Sequence, residues 1–333
     1  MLFSIHLQSA VGIRAKTVRN NLMRGFVETW TGEAQAHECD ALGHLNMRHY
    51  LYKAQQARQM FIMMLGLPSA FTPGHPSSVK FMNAHIQYKA ESLPGELLRI
   101  ETGVLEIRDV GMTLLHVIYH ASGTVSATII ENIEHVYLST GGSFKWPKRV
   151  TEAAEIYRVD MPNYAAPRSL NPWVKMVPPT QSELEGWGVK PIGRGVFQRS
   201  ETDMFDRVMG GAILGRASDC VAHYREGWPE AHEDSGDDGP STMGILLETN
   251  FVCHRPVRAG QGFVFYSGVG HVNRRTRRLV HTMINPLDGT AIASMDTMAA
   301  LFDLEKRIIA EPSAENMKTL EAACTPQLIS QIG

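Results

Sequence analysis

The feature that most constrains this chain is an internal repeat. The stretch from His85 through Gly95 and Gly103 superposes on the stretch from Asn250 through Gly260 and Gly268, each glycine pair being 165 positions apart. His116 meets His281 at the same offset, Gly123–Ala127 meets Gly289–Ala293 at 166, and upstream Asp40 meets Asp203 at 163. One matched glycine says little, but a nearly constant offset held over this span means two copies of one unit. With 333 residues the chain has room for two ordinary domains.

Both copies read alike. After Asp40, Tyr50, Ala54, Ala57, Phe61 and Met64 recur at helical spacing, and Gly66 and Pro68 punctuate the end. Alternating, β-branched runs then predict strands at 84–89, 97–107, 112–120 and 124–138, with turns at Pro94-Gly95, Asp109–Gly111 and Ser122-Gly123. The second copy predicts a helix over 210–224 and strands near 246–254, 262–271, 279–284 and 290–304. A long helix followed by an antiparallel meander, twice, is an α+β layout rather than a doubly wound parallel sheet.

The expected organisation is a first unit at 24–142, a Pro-rich connector at 143–191, a second unit at 192–305 and a helical tail at 306–333 with Ser313 as its N-cap. The connector carries seven prolines from Pro147 to Pro191 and a short predicted helix at 152–157. It is long enough to cross the molecule and set two sheets side by side. The loop 225–241, rich in Asp, Glu and Gly, reads as a solvated acidic loop rather than a metal site, because its acids lack ordered ligand spacing. From Met1 to Val27 the charges are all Arg or Lys. That start fits an organellar transit peptide or, the preferred reading, an extension upstream of a start at Met23.

Composition excludes several classes. With 32 basic and 34 acidic residues, bulk charge attracts neither nucleic acid nor an anionic membrane. The four cysteines form no CxxC pair, which argues against a disulfide framework or zinc knuckle and suits a cytoplasmic protein. No apolar run reaches the roughly 18–20 residues that span a bilayer. Dinucleotide, P-loop, nucleophile-elbow and HExxH motifs are absent, and His116 and His120 fall on a strand, a poor zinc pair. No metal or cofactor is expected.

The chemistry concentrates in Glu38-Cys39-Asp40-Ala-Leu-Gly43-His44-Leu-Asn46, which ends at Tyr50 in the helix. An acid lies just before a helix N-terminus, where backbone N–H groups lack partners and the dipole favours negative charge. Such an end can hold a carbonyl oxygen as it becomes an oxyanion, each donor being worth about 3–4 kcal/mol in the transition state. The carboxylate beside it can deprotonate water or attack the carbonyl. The alternative is that Asp40 or Asn46 simply caps the helix, worth about 1 kcal/mol. Cys39 is a poor nucleophile, since Asp40 disfavours its thiolate.

The pattern Asp40-x-x-Gly43-His44-x-Asn46-x-x-x-Tyr50 before a long helix resembles the hotdog-fold acyl-CoA thioesterases of the 4-hydroxybenzoyl-CoA thioesterase type, and the two copies resemble a double hotdog. Plant acyl-carrier-protein thioesterases share the two-copy plan, but Leu42 stands where their site has Asn. The resemblance covers about 24–140 and, less clearly, 192–305. It implies two helices, each wrapped by an antiparallel sheet, paired as a pseudo-dimer with sites at the interface. It makes Asp40 the general base or nucleophile, has the backbone at Gly43 and His44 polarise a thioester carbonyl, and gives His44 or Asn46 the task of positioning it, with Tyr50 on the substrate. The implied partner is an acyl-CoA, CoA being part of the substrate; further self-association stays open.

The second copy competes. Asp203 is kept, while Arg207 replaces His44 and Met209 replaces Asn46, so the fuller polar set favours the first copy. For CoA phosphates the densest basic run is Arg274, Arg275, Arg277 and Arg278 at a predicted hairpin, although a solvated basic turn is the simpler reading. A hotdog hydratase, which usually shows Asp and His five apart with Asn-Pro between, and a non-catalytic acyl-binding protein are the other functions to separate.

Overall fold

The computed structural model describes residues 25–40, 42–232, 242–330 and 332. The readings of the N-terminal extension and of most of the acidic loop fall outside these residues.

The first unit runs β1 (Val27–Glu33), α1 (Met47–Met64), β2 (Ser77–Tyr88), β3 (Leu97–Ile107), β4 (Gly111–His120) and β5 (Val125–Tyr137). The connector carries α2 (Lys148–Glu155) and α3 (Gln181–Gly186). The second unit repeats the order as β6 (Pro191–Val196), α4 (Gly210–Val221), β7 (Thr242–Cys253), β8 (Gly262–Val272), β9 (Arg277–Ile284) and β10 (Ala291–Asp303). A short β11 (Ile308–Ala310), α5 (Ala314–Ala322) and α6 (Gln327–Ser330) follow, α5 being capped by Ser313 Oγ. None of the described helices is long and apolar enough to cross a membrane.

All strands join one antiparallel sheet in the order β1-β3-β4-β5-β2-β7-β10-β9-β8-β6, with β11 beside β10. The two units meet where β2 pairs β7, from Asn83 opposite Val252 to Gln87 opposite Glu248. Alternation along these strands sorts the faces. Ala84, Ile86 and Phe251 join Leu51, Ala54 and Ala57 of α1 and Ile213, Leu214 and Ala217 of α4 in one core. That single apolar cluster spans both copies, so burial of either helix depends on the other unit.

The opposite face of the seam is polar and pinned by the connector. His85 Nε2 lies 2.6 Å from Glu248 Oε1, and the carboxylate of Glu248 also accepts the N–H groups of Arg168 and Ser169. Gln87 Nε2 donates to the carbonyl of Ala166 at 2.7 Å and Asn250 Nδ2 to that of Asn171 at 3.2 Å. Burial works to raise the Glu248 carboxyl, but His85 and the two backbone donors outweigh it and hold it below the ordinary value. The connector therefore crosses between the copies and satisfies groups that would otherwise be buried unpaired.

Several boundaries differ from the sequence reading. β2 starts at Ser77 rather than 84, α4 stops at Val221, and α2 covers Lys148–Glu155 rather than 152–157. Neither β1 nor β6 was predicted. β6 holds a proline and two glycines, which read as loop. There a Cβ at Gly193 would collide with the Cys220 side chain, and one at Gly195 would lie 3.0 Å from the Phe263 ring. Glycine at these positions lets the edge strand approach helix and sheet.

Candidate active site

The turn before α1 is built by reciprocal capping. Gln35 and Glu38 cap a single 3-10 turn, and Cys39 then bridges Leu45, closing a loop around Asp40. Asp40 Oδ1 accepts the Leu42 N–H at 3.0 Å, and the Asp40 carbonyl accepts the Gly43 N–H at 2.9 Å. Gly43 has φ +74, a left-handed conformation natural to glycine, and nothing lies within 4 Å of where its Cβ would be. The turn is therefore open at the residue expected to let a ligand approach. His44 Nδ1 lies 3.5 Å from Asp40 Oδ1, both side chains being partly exposed. The loop is held down by the Leu45 N–H on the Ser92 carbonyl and the Asn46 N–H on the Glu38 carbonyl.

Asp40, Gly43, His44 and Asn46 thus share one turn at the start of an 18-residue helix. Their roles separate. Asn46 is the N-cap: its Oδ1 accepts the Arg48 N–H at 3.1 Å, and its Nδ2 donates to Ser218 Oγ of α4 at 3.0 Å. With both ends of its amide engaged, Asn46 holds the turn and ties it to the second copy rather than positioning a carbonyl, so of the two roles the sequence left open for it the capping one holds. The Gly43 N–H is taken by the Asp40 carbonyl, which withdraws it as an expected carbonyl-polarising donor; among the described residues the His44 and Met47 N–H groups have no acceptor. Cys39 is held above the ordinary thiol value by burial, then by Asp40 and Glu38, which leaves it a poor nucleophile.

Tyr50 does not face this turn. It is buried against Tyr88, with its hydroxyl 3.4 Å from Ser126 Oγ and 3.5 Å from Ser92 Oγ, in a network that His120 Nε2 joins at 2.9 Å from Ser92 Oγ. Its place is in the scaffold, and the expected substrate contact is withdrawn. The arginine run is also divided. Arg277 is buried on Glu230 and the Gly227 carbonyl with its guanidinium over Trp228, while Arg278 pairs in bidentate fashion with buried Asp296. Arg274 and Arg275 stay exposed and share Glu311. All four already have carboxylate partners, so the run is two internal ion pairs and a surface cluster rather than a phosphate cradle.

A pair missed in the sequence stands behind the turn. Glu38 Oε2 accepts from Lys53 Nζ at 2.6 Å, and His49 Nδ1 lies 3.6 Å from its other oxygen. Burial raises the Glu38 carboxyl, but Lys53, the Gln35 N–H and His49 together hold it below its ordinary value. The second copy repeats the device: Gln198 and Glu201 cap the matching turn, and Arg216 grips Glu201. Gln35, Glu38 and Lys53 map onto Gln198, Glu201 and Arg216 at the 163 offset that relates Asp40 to Asp203. That offset was the available signal.

Asp203 sits in the same loop geometry, with Thr202 bridging Val208. Its Oδ1 accepts the N–H groups of Phe205 and Arg207, and its Oδ2 is gripped by Arg207 Nε and Nη2 at 2.9 and 2.8 Å. The Asp203 side chain is 12% exposed against 28% for Asp40. A guanidinium therefore occupies the acid of copy two, where copy one has an imidazole at longer range. A cleft opens beside this second loop, between α1, β2 and residues 253–257. A second, broader groove runs along β1 beside Lys53 and Glu38.

Residues 34–154 match the sequence model of the thioesterase-like superfamily. No curated protein matches the chain. Three solved structures share its fold over nearly their whole length. A Lactobacillus plantarum protein assigned as an oleoyl thioesterase has TM-score 0.63 and 12% identity, covering 83% of this chain and 96% of its own. The 12:0-ACP thioesterase of Umbellularia californica has TM-score 0.60 and 11% identity, with 83% and 94% covered. An acyl-ACP thioesterase of Bacteroides thetaiotaomicron has TM-score 0.59 and 10% identity, with 82% and 97% covered. The chain is a double-hotdog protein, and its residues 34–154 match the thioesterase-like superfamily.

Proposed function

We propose that this protein hydrolyses an acyl thioester, with acyl-CoA as substrate and Asp40 as the acid–base group. Asp40 takes a proton from water as the water oxygen bonds to the thioester carbonyl carbon. The developing oxyanion is held by the N–H groups of His44 and Met47 at the positive end of α1. Collapse of the adduct breaks the C–S bond, and the proton passes to the leaving thiolate, giving free acid and CoA thiol. An alternative course in which Asp40 attacks the carbonyl and forms a mixed anhydride uses the same geometry.

The observation that carries this reading is the difference between the two acids. Both occupy the same loop before a helix, but Asp203 is saturated by Arg207 and two N–H groups, whereas among the described residues both side-chain contacts of Asp40 fall on Oδ1. The test is thiol release from short, medium, long and aromatic acyl-CoAs. Asp40→Asn is expected to lower kcat by at least about a hundredfold, the scale of losing a positioned proton-transfer group. Asp203→Asn is expected to leave it within a few-fold. The reverse ranking moves the chemistry to copy two. Absence of thiol release together with hydration of an enoyl-CoA would replace hydrolysis by hydration.

A further inference from the structure

The turn that carries Asp40 hangs on one short connection between β2 and β3. The Leu45 N–H reaches the Ser92 carbonyl at 2.8 Å. On the other side of the turn, the Ala34 carbonyl accepts the Gly95 N–H at 2.7 Å and the Ala34 N–H donates to the Glu96 carbonyl at 2.9 Å. Copy two repeats all three bonds, Val208 to the Val257 carbonyl at 2.8 Å and Phe197 with Gly260 and Gln261 at 2.9 and 3.0 Å. The backbone frame is therefore common to both copies, and the side chains beneath it differ.

In copy one they are polar. Ser92 Oγ lies 2.9 Å from His120 Nε2, 2.8 Å from Ser126 Oγ and 3.5 Å from the Tyr50 hydroxyl, and His120 Nδ1 lies 3.4 Å from Glu96 Oε1. Ser92, Ser126, Tyr50 and His120 are all buried. At the offsets that relate the copies, Tyr50, Ser92 and Ser126 become Ile213, Val257 and Ile292, also buried, and His120 becomes Asn285. Buried hydroxyls and an imidazole carry a desolvation cost that an aliphatic core avoids. Copy two makes the same three backbone bonds over aliphatic side chains, so the fold does not require the network.

The need for it lies in the acid above. Asp203 is clamped within its own turn by Arg207 and two N–H groups. The Asp40 side chain has, among the described residues, the Leu42 N–H at 3.0 Å and His44 at 3.5 Å. A carboxylate that is to take a proton must keep a lone pair free, so it cannot be held by such a clamp. Its placement has to come from outside the turn, and hydrogen bonds fix direction where aliphatic contacts do not. We infer that Ser92, Ser126, Tyr50 and His120 are positioning residues for Asp40: they lock the Ser92 peptide, whose carbonyl holds Leu45 and with it the turn. This rests on Asp40 being the acid–base group.

The test gives copy one the side chains of copy two, as the quadruple variant Tyr50→Ile, Ser92→Val, Ser126→Ile and His120→Asn, beside the single variant Ser92→Ala. The full chain is followed by thermal melting, by kcat and KM for thiol release, and by hydrogen exchange at the Leu45 amide with the Val208 amide as internal reference. The quadruple variant is expected to melt within about 5 °C of the unmodified chain. Its kcat should fall at least about tenfold with KM held within about threefold, the pattern of a displaced reacting group. Its Leu45 amide should exchange at least about tenfold faster while Val208 does not change. Ser92→Ala should move kcat and Leu45 in the same directions, and it decides the matter if the quadruple variant does not fold. Unchanged kcat, an effect on KM alone, or unmoved Leu45 exchange overturns the assignment. Equal acceleration at Leu45 and Val208 marks a general loss of stability and overturns it too. If the unmodified chain releases no thiol from any acyl-CoA, the thioesterase reading fails, and Leu45 exchange still decides whether the network holds the turn.

Discussion

Removing Arg58 should destabilise the fold more than any substitution of a surface charge. The Glu131 carboxylate on β5 is fully buried, held by Arg58 Nη1 on one side and by His116 Nε2 at 3.1 Å on the other. His116 Nδ1 continues to Thr102 Oγ1 at 2.8 Å, which lies 2.7 Å from Thr29 Oγ1. The chain of groups thus runs from α1 across β5, β4, β3 and β1. Unit charges about 3 Å apart attract by roughly 5 kcal/mol at an effective dielectric of about 20. Desolvation offsets much of that, but deleting one partner strands the other, at a cost of about 3–5 kcal/mol. Arg58→Met and Glu131→Gln should each cost this much, and the double variant should cost about 2 kcal/mol or more below their sum. Urea unfolding followed by tryptophan fluorescence and circular dichroism measures all three. Single losses under about 1 kcal/mol, or additivity within about 0.5 kcal/mol, would refute the reasoning. The second copy has Val221 and Thr297 at the matching positions, both charges being absent together.

Stability should also fall on acidification in two stages. Burial pushes His281 and His254 down to about 4, so the unfolded chain, at 6.5, takes up these protons first. Their contribution is complete above 6.5 and lost towards 4, about 3 kcal/mol for His281 alone. Glu38 and Glu248, held below 4.5, contribute above that value and give way only below it. Melting temperatures from pH 8 to 4 test this, and a slope unchanged between 6.5 and 4.5 in His281→Asn would contradict it. Cys39→Ser should leave thiol release within a few-fold; loss of all turnover would make the thiol a participant. Asn46→Ala should cost about 1–2 kcal/mol in urea unfolding, since it removes a cap and the link to Ser218, and a neutral result would deny it the capping role.

The repeat was legible because it is written in positions, and the turn before α1 because acid, glycine, histidine and asparagine lie within seven consecutive residues. Helical and strand periods arise from neighbours along the chain, so α1, α4 and the central strands could be read, and Gly95 and Gly260 do mark left-handed turns. β1 carries a readable Val-Glu-Thr-Trp-Thr alternation, but β6 does not: its glycines exist for contacts made by Cys220 and Phe263.

Partners chosen through space were beyond the sequence. Arg277 finds Glu230 47 positions away and His85 finds Glu248 163 away, so an arginine from a run that reads as a basic turn or a phosphate site becomes scaffold. Asn46 reads either as a site residue or as a cap until its amide is seen between Arg48 and Ser218. By itself the sequence determined two copies, each an acid before a helix and then a meander. Only the tertiary structure decided that β2 and β7 join them into one sheet, that Arg207 occupies one acid, and that Asp40 keeps the open turn. Periodicity is a local property, whereas charge pairing and burial depend on which distant surfaces the fold brings together.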